Sequence, residues 1–159
     1  VIVGWRVVAA VRARYAFSGE GSRRAGTRWT SEGFLAVYVA DSLALAALES
    51  LVRLPHSETH PSYVAIRCEF PEELVWLIEE NHVPPDWRDS PAIGELREIG
   101  DGWAAKQRTA VMSVPSAIIP QERNYLLNPA HPGFARISVG EAEPFVFDIR
   151  LLNRYNPAP

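Results

Sequence analysis

Cysteine occurs once in 159 residues, at Cys68, and lysine once, at Lys106. A single cysteine excludes an internal disulfide framework and a zinc site built on thiolates. It lies in Tyr63-Val64-Ala65-Ile66-Arg67-Cys68-Glu69-Phe70. Alternation there puts Val64, Ile66, Cys68 and Phe70 on one face, which predicts a buried, inert thiol. No apolar run approaches the roughly 20 residues that span a bilayer. The N-terminus lacks a charged-then-apolar leader pattern. These absences predict a soluble, cytoplasmic protein without membrane contact. A basic excess is also missing, since the formal net charge is −3. That argues against a nucleic-acid clamp. There is no phosphate-binding Walker loop, no Rossmann glycine fingerprint and no Gly-x-Ser-x-Gly elbow.

What is present suits one globular domain over 1–159, with 153–159 as a frayed tail. Hydrophobic residues make up 47%, which is enough to bury a core. The pattern predicts strands at 1–10, 34–40, 63–70, 109–114, 134–139 and 144–152. Ser116–Ile119 is expected to continue the fourth of these. Helices are predicted at 43–53, capped by Asp41 or Ser42, and from Ser90-Pro91 to Gly100, with a short helix or turn region over 72–80. A further helical turn is expected over 103–108, and a turn or short helix over 121–127. Helices and strands mix without strict alternation, so the fold class is α+β.

Fifteen of the 16 basic residues are arginines. Three of them, Arg23, Arg24 and Arg28, share the glycine-rich stretch from Tyr15 to Ser31, read as a loop. Planar forks beside glycines suit a phosphate-bearing anion; a solvated loop is the competing reading. Tyr38 follows in an apolar strand and Glu49 in an apolar helix. A carboxylate there needs a partner. It is either an ion pair with Arg53, four residues on, or a group that offsets oxocarbenium charge in a dry cleft. His56 and His60 are four apart, but Pro55 and Pro61 argue against a helix between them. No metal site is expected. His131, in the turn Asn128–Gly133, is expected to bond backbone.

Several runs in order resemble the RES domain family. They are Phe17-Ser18-Gly19-Glu20-Gly21-Ser22, Gly26-Thr27-Arg28-Trp29-Thr30-Ser31-Glu32-Gly33, Val37-Tyr38-Val39-Ala40 and Ser42-Leu43-Ala44-Leu45-Ala46 leading to Glu49. Val114-Pro115-Ser116-Ala117-Ile118-Ile119-Pro120 follows, then Glu122, Asn124, Leu126-Leu127-Asn128-Pro129 and His131-Pro132. One departure is Thr27, where the family usually has a second glycine. The arginine, glutamate and serine that name the family map to Arg28, Glu49 and Ser116, with Ser113 and Ser138 as nearby alternatives for the serine.

The resemblance implies an ADP-ribosyltransferase-like mixed β core flanked by helices. It implies a toxin of a bacterial toxin–antitoxin pair that cleaves the nicotinamide N-glycosidic bond of NAD, by hydrolysis or phosphorolysis. NAD is then a substrate, with phosphate as a possible co-substrate, and no resident cofactor is called for. The alternatives are a protein ADP-ribosyltransferase and an inactive binding module of the same fold. The implied catalytic residues are Arg28, Glu49 and Ser116. The implied substrate-binding residues are Arg28, Tyr38, Arg23 and Arg24. The implied partner is an Xre-like antitoxin, in a homodimer or hetero-oligomer, with any DNA contact made by the antitoxin.

Overall fold

The computed structural model describes residues 1–54 and 60–152. His56, one half of the His56–His60 pair, and the tail 153–159 lie outside the described residues. Among the described residues seven strands form one sheet: β1 Ile2–Ala9, β2 Val37–Ala40, β3 Tyr63–Phe70, β4 Val75–Leu77, β5 Val111–Pro115, β6 Arg123–Leu127 and β7 Ser138–Phe145. Their order across the sheet is β4-β5-β6-β2-β1-β3-β7. β4 and β5 run parallel, and every other pair is antiparallel. The helices are α1 Glu20–Ala25, α2 Leu43–Leu51, α3 Gly94–Ala105 and α4 Ile149–Leu152. This is the expected α+β architecture, a mixed β core with helices around it.

The ladders differ in extent. β1 and β3 pair along their whole length, from Ile2↔Phe70 to Ala9↔Tyr63. β2 and β6 pair from Val37↔Leu127 to Ala40↔Asn124. Between them, β1 and β2 pair at Trp5↔Ala40 alone. The sheet is therefore continuous on both flanks and split near its centre.

Side chains from the two faces explain the elements. Val37, Val39, Cys68, Phe70 and Leu127 share one buried cluster. Val7, Ala40 and Ala65 meet Leu45, Ala46 and Leu51 of α2 in another. A third joins Trp29, Leu96, Trp103, Met112 and Leu126. Two glycines permit close approach. A Cβ on Gly4 would lie 2.6 Å from Val39 Cγ2, and one on Gly100 would lie 1.7 Å from the Trp29 carbonyl oxygen.

Several expected elements take another form. The loop read over 15–31 contains α1, bracketed by the left-handed Gly19 and Gly26 at φ 74° and 66°. Its six residues are too few to show a helical period. The strand expected from Phe34 begins at Val37. The short helix or turn region expected over 72–80 is a 3-10 turn over Glu72–Leu74, but it is followed by β4, whose three residues take their form from β5 beside them. The turn or helix expected over 121–127 is β6, a central strand whose residues 124–127 are all buried. A strand buried on both faces loses the alternation that would reveal it. The expected extension of β5 stops at Pro115, because the Ser116 hydroxyl accepts from Ile118 and Ile119 N–H and turns the chain. α3 is one helix starting at Gly94, where two pieces were expected from Pro91 onward. The two closing strands expected over 134–139 and 144–152 are one strand, β7, preceded by a 3-10 turn over Pro132–Arg136 and followed by α4. His131 bonds backbone as expected, since its Nδ1 accepts from Gly133 N at 2.9 Å.

Candidate active site

Beyond Trp5↔Ala40 the two central strands part, and a cavity of about 1180 Å³ opens between them. Its wall carries four guanidiniums, Arg6, Arg12, Arg24 and Arg53, against two carboxylates, Glu20 and Glu49. Glu20 is already paired with Arg23 at 2.7 Å. The cavity is thus electropositive inside a chain of net charge −3. A smaller cavity of about 200 Å³ lies beside β3 and β7. There Arg67 is paired with Glu69, and Glu141 and Glu143 add negative charge.

Glu49 sits late in α2, and three contacts fix that helix. Ser42 caps it, accepting from Leu45 N at 3.0 Å. The same hydroxyl donates to Glu122 Oε2 at 2.8 Å. Ser50 Oγ donates to the Val7 carbonyl at 2.7 Å, tying α2 to β1. Glu49 Oε1 accepts two hydrogen bonds, from Ser116 Oγ at 3.0 Å and from Asn124 Nδ2 at 2.5 Å. Among the described residues no ion pair joins Glu49 to Arg53. Two neutral donors hold the carboxylate and, among the described residues, no direct ion pair takes up its charge, as a site that meets a developing cation requires.

Ser116 is fully buried behind Glu49. Its one proton goes to Glu49, and its lone pairs take Ile118 and Ile119 N–H. Ser116 N also donates to the Glu122 carbonyl at 3.0 Å, so one turn positions both the serine and the anchor of α2. Of the alternative serines, Ser113 accepts from Arg123 Nε, and Ser138 starts the edge strand β7.

Tyr38 lines the cavity from β2. Its hydroxyl donates to Thr27 Oγ1 at 3.2 Å. Burial pushes the phenol well above its ordinary range, and the Thr27 hydroxyl and the Arg53 charge pull the other way less strongly. Arg53 lies over the ring, 5.8 Å from its centroid. Thr27 also accepts from Trp29 and Thr30 N–H. The residue that departs from the family's glycine therefore holds the loop and Tyr38 together.

The arginines singled out in the sequence separate. Arg24 lines the cavity. Arg23 points to Glu20 on the exposed side of α1. Arg28 donates through NH1 to the Trp87 and Asp89 carbonyls at 3.0 and 2.8 Å and is not among the lining residues. Arg6, Arg12 and Asn124 were assigned no role from sequence. Arg6 carried a signal: a charge among Trp5, Val7 and Val8 in an otherwise apolar strand. Arg12 carried none.

A mixed-sheet α+β domain with a carboxylate in a split between central strands is the class defined by this geometry. Its fold matches that of a chain in the crystal structure of the M. tuberculosis MbcT–MbcA toxin–antitoxin complex. The TM-score is 0.71 at 17% identity, covering 91% of this chain and 84% of that one. The RES domain model matches residues 4–148, and the chain belongs to the RES domain family. A protein named "Prs ADP-ribosylating toxin" from Sphingobium sp. is 34% identical over 155 residues, 94% of this chain and 96% of that protein. "Toxin Res" of Yersinia enterocolitica is 34% identical over 137 residues, 85% of this chain and 90% of its own length. "Toxin Res" of Pseudomonas putida is 33% identical over 153 residues, covering 92% and 97%.

Proposed function

We propose that this RES-family chain is an NAD-degrading toxin of a toxin–antitoxin pair. The observation that carries the reading is Glu49, held by two neutral donors at the wall of an arginine-lined cleft. The cleft is larger than the roughly 300–1,000 Å³ usual for small ligands, which suits a dinucleotide. Its positive wall suits a diphosphate.

In this reading the nicotinamide cation stacks on Tyr38, taking the ring face that Arg53 now covers. Glu49 faces the nicotinamide ribose. As the N-glycosidic bond breaks, its electron pair leaves with nicotinamide, which becomes neutral. The ribose oxocarbenium left behind is stabilised by the Glu49 charge. Water then adds at the same ribose carbon and loses a proton, giving ADP-ribose. Phosphate adding there instead gives the ADP-ribose phosphate ester. Ser116 acts by orienting Glu49. Arg24 faces the diphosphate. Arg28 joins it by leaving its two neutral carbonyl partners for a charged phosphate, the stronger acceptor. Arg23 stays at the rim with Glu20.

The test is product analysis with pure protein and NAD, with and without phosphate. Nicotinamide release without any acceptor protein is expected, and Arg28→Ala and Glu49→Ala abolish it. Intact NAD after long incubation overturns the reading and leaves a binding module. The name of the Sphingobium relative favours one alternative, transfer of ADP-ribose to a protein. Release that requires an added acceptor protein identifies it. An Xre-like antitoxin is the proposed partner, and its presence blocks the release.

A further inference from the structure

We propose that Arg6 and Arg53 form an anion subsite on the β1 side of the cleft that takes a phosphate group. The partners of the other guanidiniums make the contrast. Buried Arg123 donates to Ser113 Oγ and to the Ile78 and Ser113 carbonyls. Arg23, Arg67, Arg136 and Arg150 each pair with a carboxylate. Arg6 does neither. Its NH1 donates to the Tyr38 carbonyl at 2.6 Å, across the gap where the β1–β2 ladder has lapsed. Its Nε is buried with no partner. Among the described residues no other hydrogen bond reaches this guanidinium.

A neighbouring charge raises the demand for an anion. Arg53 repels Arg6, and burial together with that repulsion lowers the Arg6 pKa to about 10. Glu49 shares the cavity, but its recorded partners are Ser116 and Asn124. Both arginines line the cavity. A buried donor without a partner is costly, and so is repulsion between two guanidiniums that no ion pair among the described residues relieves. A phosphate oxygen removes both costs, since two planar forks match its oxygens.

The subsite rests on the NAD reading only for the source of its phosphate: the dinucleotide's own diphosphate or a free phosphate co-substrate. Calorimetry with pyrophosphate on wild type, Arg6→Gln, Arg6→Lys and Arg53→Gln tests the site without catalysis. Exposed Arg53 gives a variant that keeps the fold, and thermal unfolding checks each protein. We expect at least tenfold weaker binding for Arg6→Gln and Arg53→Gln and a smaller loss for Arg6→Lys. Pyrophosphate should raise Tm in wild type and not in Arg6→Gln. Folded Arg53→Gln and Arg6→Lys that bind pyrophosphate as tightly as wild type overturn the proposal. Kinetics then separate the sources. Phosphate that competes with NAD identifies the diphosphate as the occupant. Phosphate that speeds nicotinamide release at unchanged KM identifies the co-substrate. If wild type fails to cleave NAD yet loses pyrophosphate binding on Arg53→Gln, the subsite stands and the NAD reading falls. Cleavage with wild-type KM in both glutamine variants sinks the subsite and leaves the NAD reading intact.

Discussion

Glu49 Oε1 takes two donors, and among the described residues none is recorded on Oε2. That asymmetry aims one oxygen at the cleft. Glu49→Gln keeps the shape and removes the charge. NAD turnover should fall at least about 100-fold, the scale on which transition-state charge stabilisation is lost, with Tm little changed. Ser116→Ala removes a donor to Glu49 and the acceptor of two buried N–H groups. We expect a loss of about 1–3 kcal/mol in stability, read by denaturant unfolding, and a fall in kcat larger than any rise in KM. Cys68 has the opposite character: burial lifts its thiol to about 12. Thiol reagents at pH 8 should leave it unmodified until the protein unfolds. Residue identity made Glu49 and Cys68 legible, because a charge in an apolar helix and a thiol in an alternating strand each break or complete a pattern. Asn124 was not legible as a partner of Glu49, since one lies in β6 and the other in α2, 75 residues apart.

At the scale of elements, α2 and the turn 116–122 behave as one unit. Ser42 caps the helix and reaches Glu122, while Ser116 holds the other end of the contact at Glu49. Ser42→Ala should cost about 1 kcal/mol from the lost cap and also lower kcat, because the helix carrying Glu49 loses its anchor. α3 depends on Gly100, whose missing Cβ lets the Trp29 backbone approach. Gly100→Ala should lower stability by about 1–3 kcal/mol or more, seen as a drop in Tm. The alternating β3, the apolar run of β1 and the capped apolar helix α2 were readable from sequence. β4 and β6 were not. The first is three residues long and needs β5 beside it, and the second is central and buried on both faces. The cleft was not readable either, for it arises where a ladder stops, and Arg6 marks a charge in an apolar strand without showing where pairing ends.

For the molecule as a whole, charge placement and pH response can be predicted. Four cavity arginines sit in a chain of net charge −3. Raising salt should therefore raise KM for an anionic substrate by screening the partly exposed charges without lowering Tm. Alkaline pH acts on the fold itself. Tyr38 and Cys68 both titrate higher when folded than their ordinary values of 10.0 and 9.0. The unfolded chain ionises first, so stability is full below about pH 9 and falls as pH rises toward 12. A Tm measured across that range should decline, less steeply above about pH 10, where the lowered Arg6 pKa works in the opposite sense. The single pair Trp5↔Ala40 has a mechanical meaning as well. It divides the sheet into two leaves, β4-β5-β6-β2 and β1-β3-β7, joined at one seam. Each leaf is braced by its own ladders, while across the seam the backbone pairing is confined to one pair, helped by the Arg6 clasp onto Tyr38 and by side chains packed from both leaves. Whatever fills the opening stitches the two leaves together, so ligand and sheet stiffen as one body.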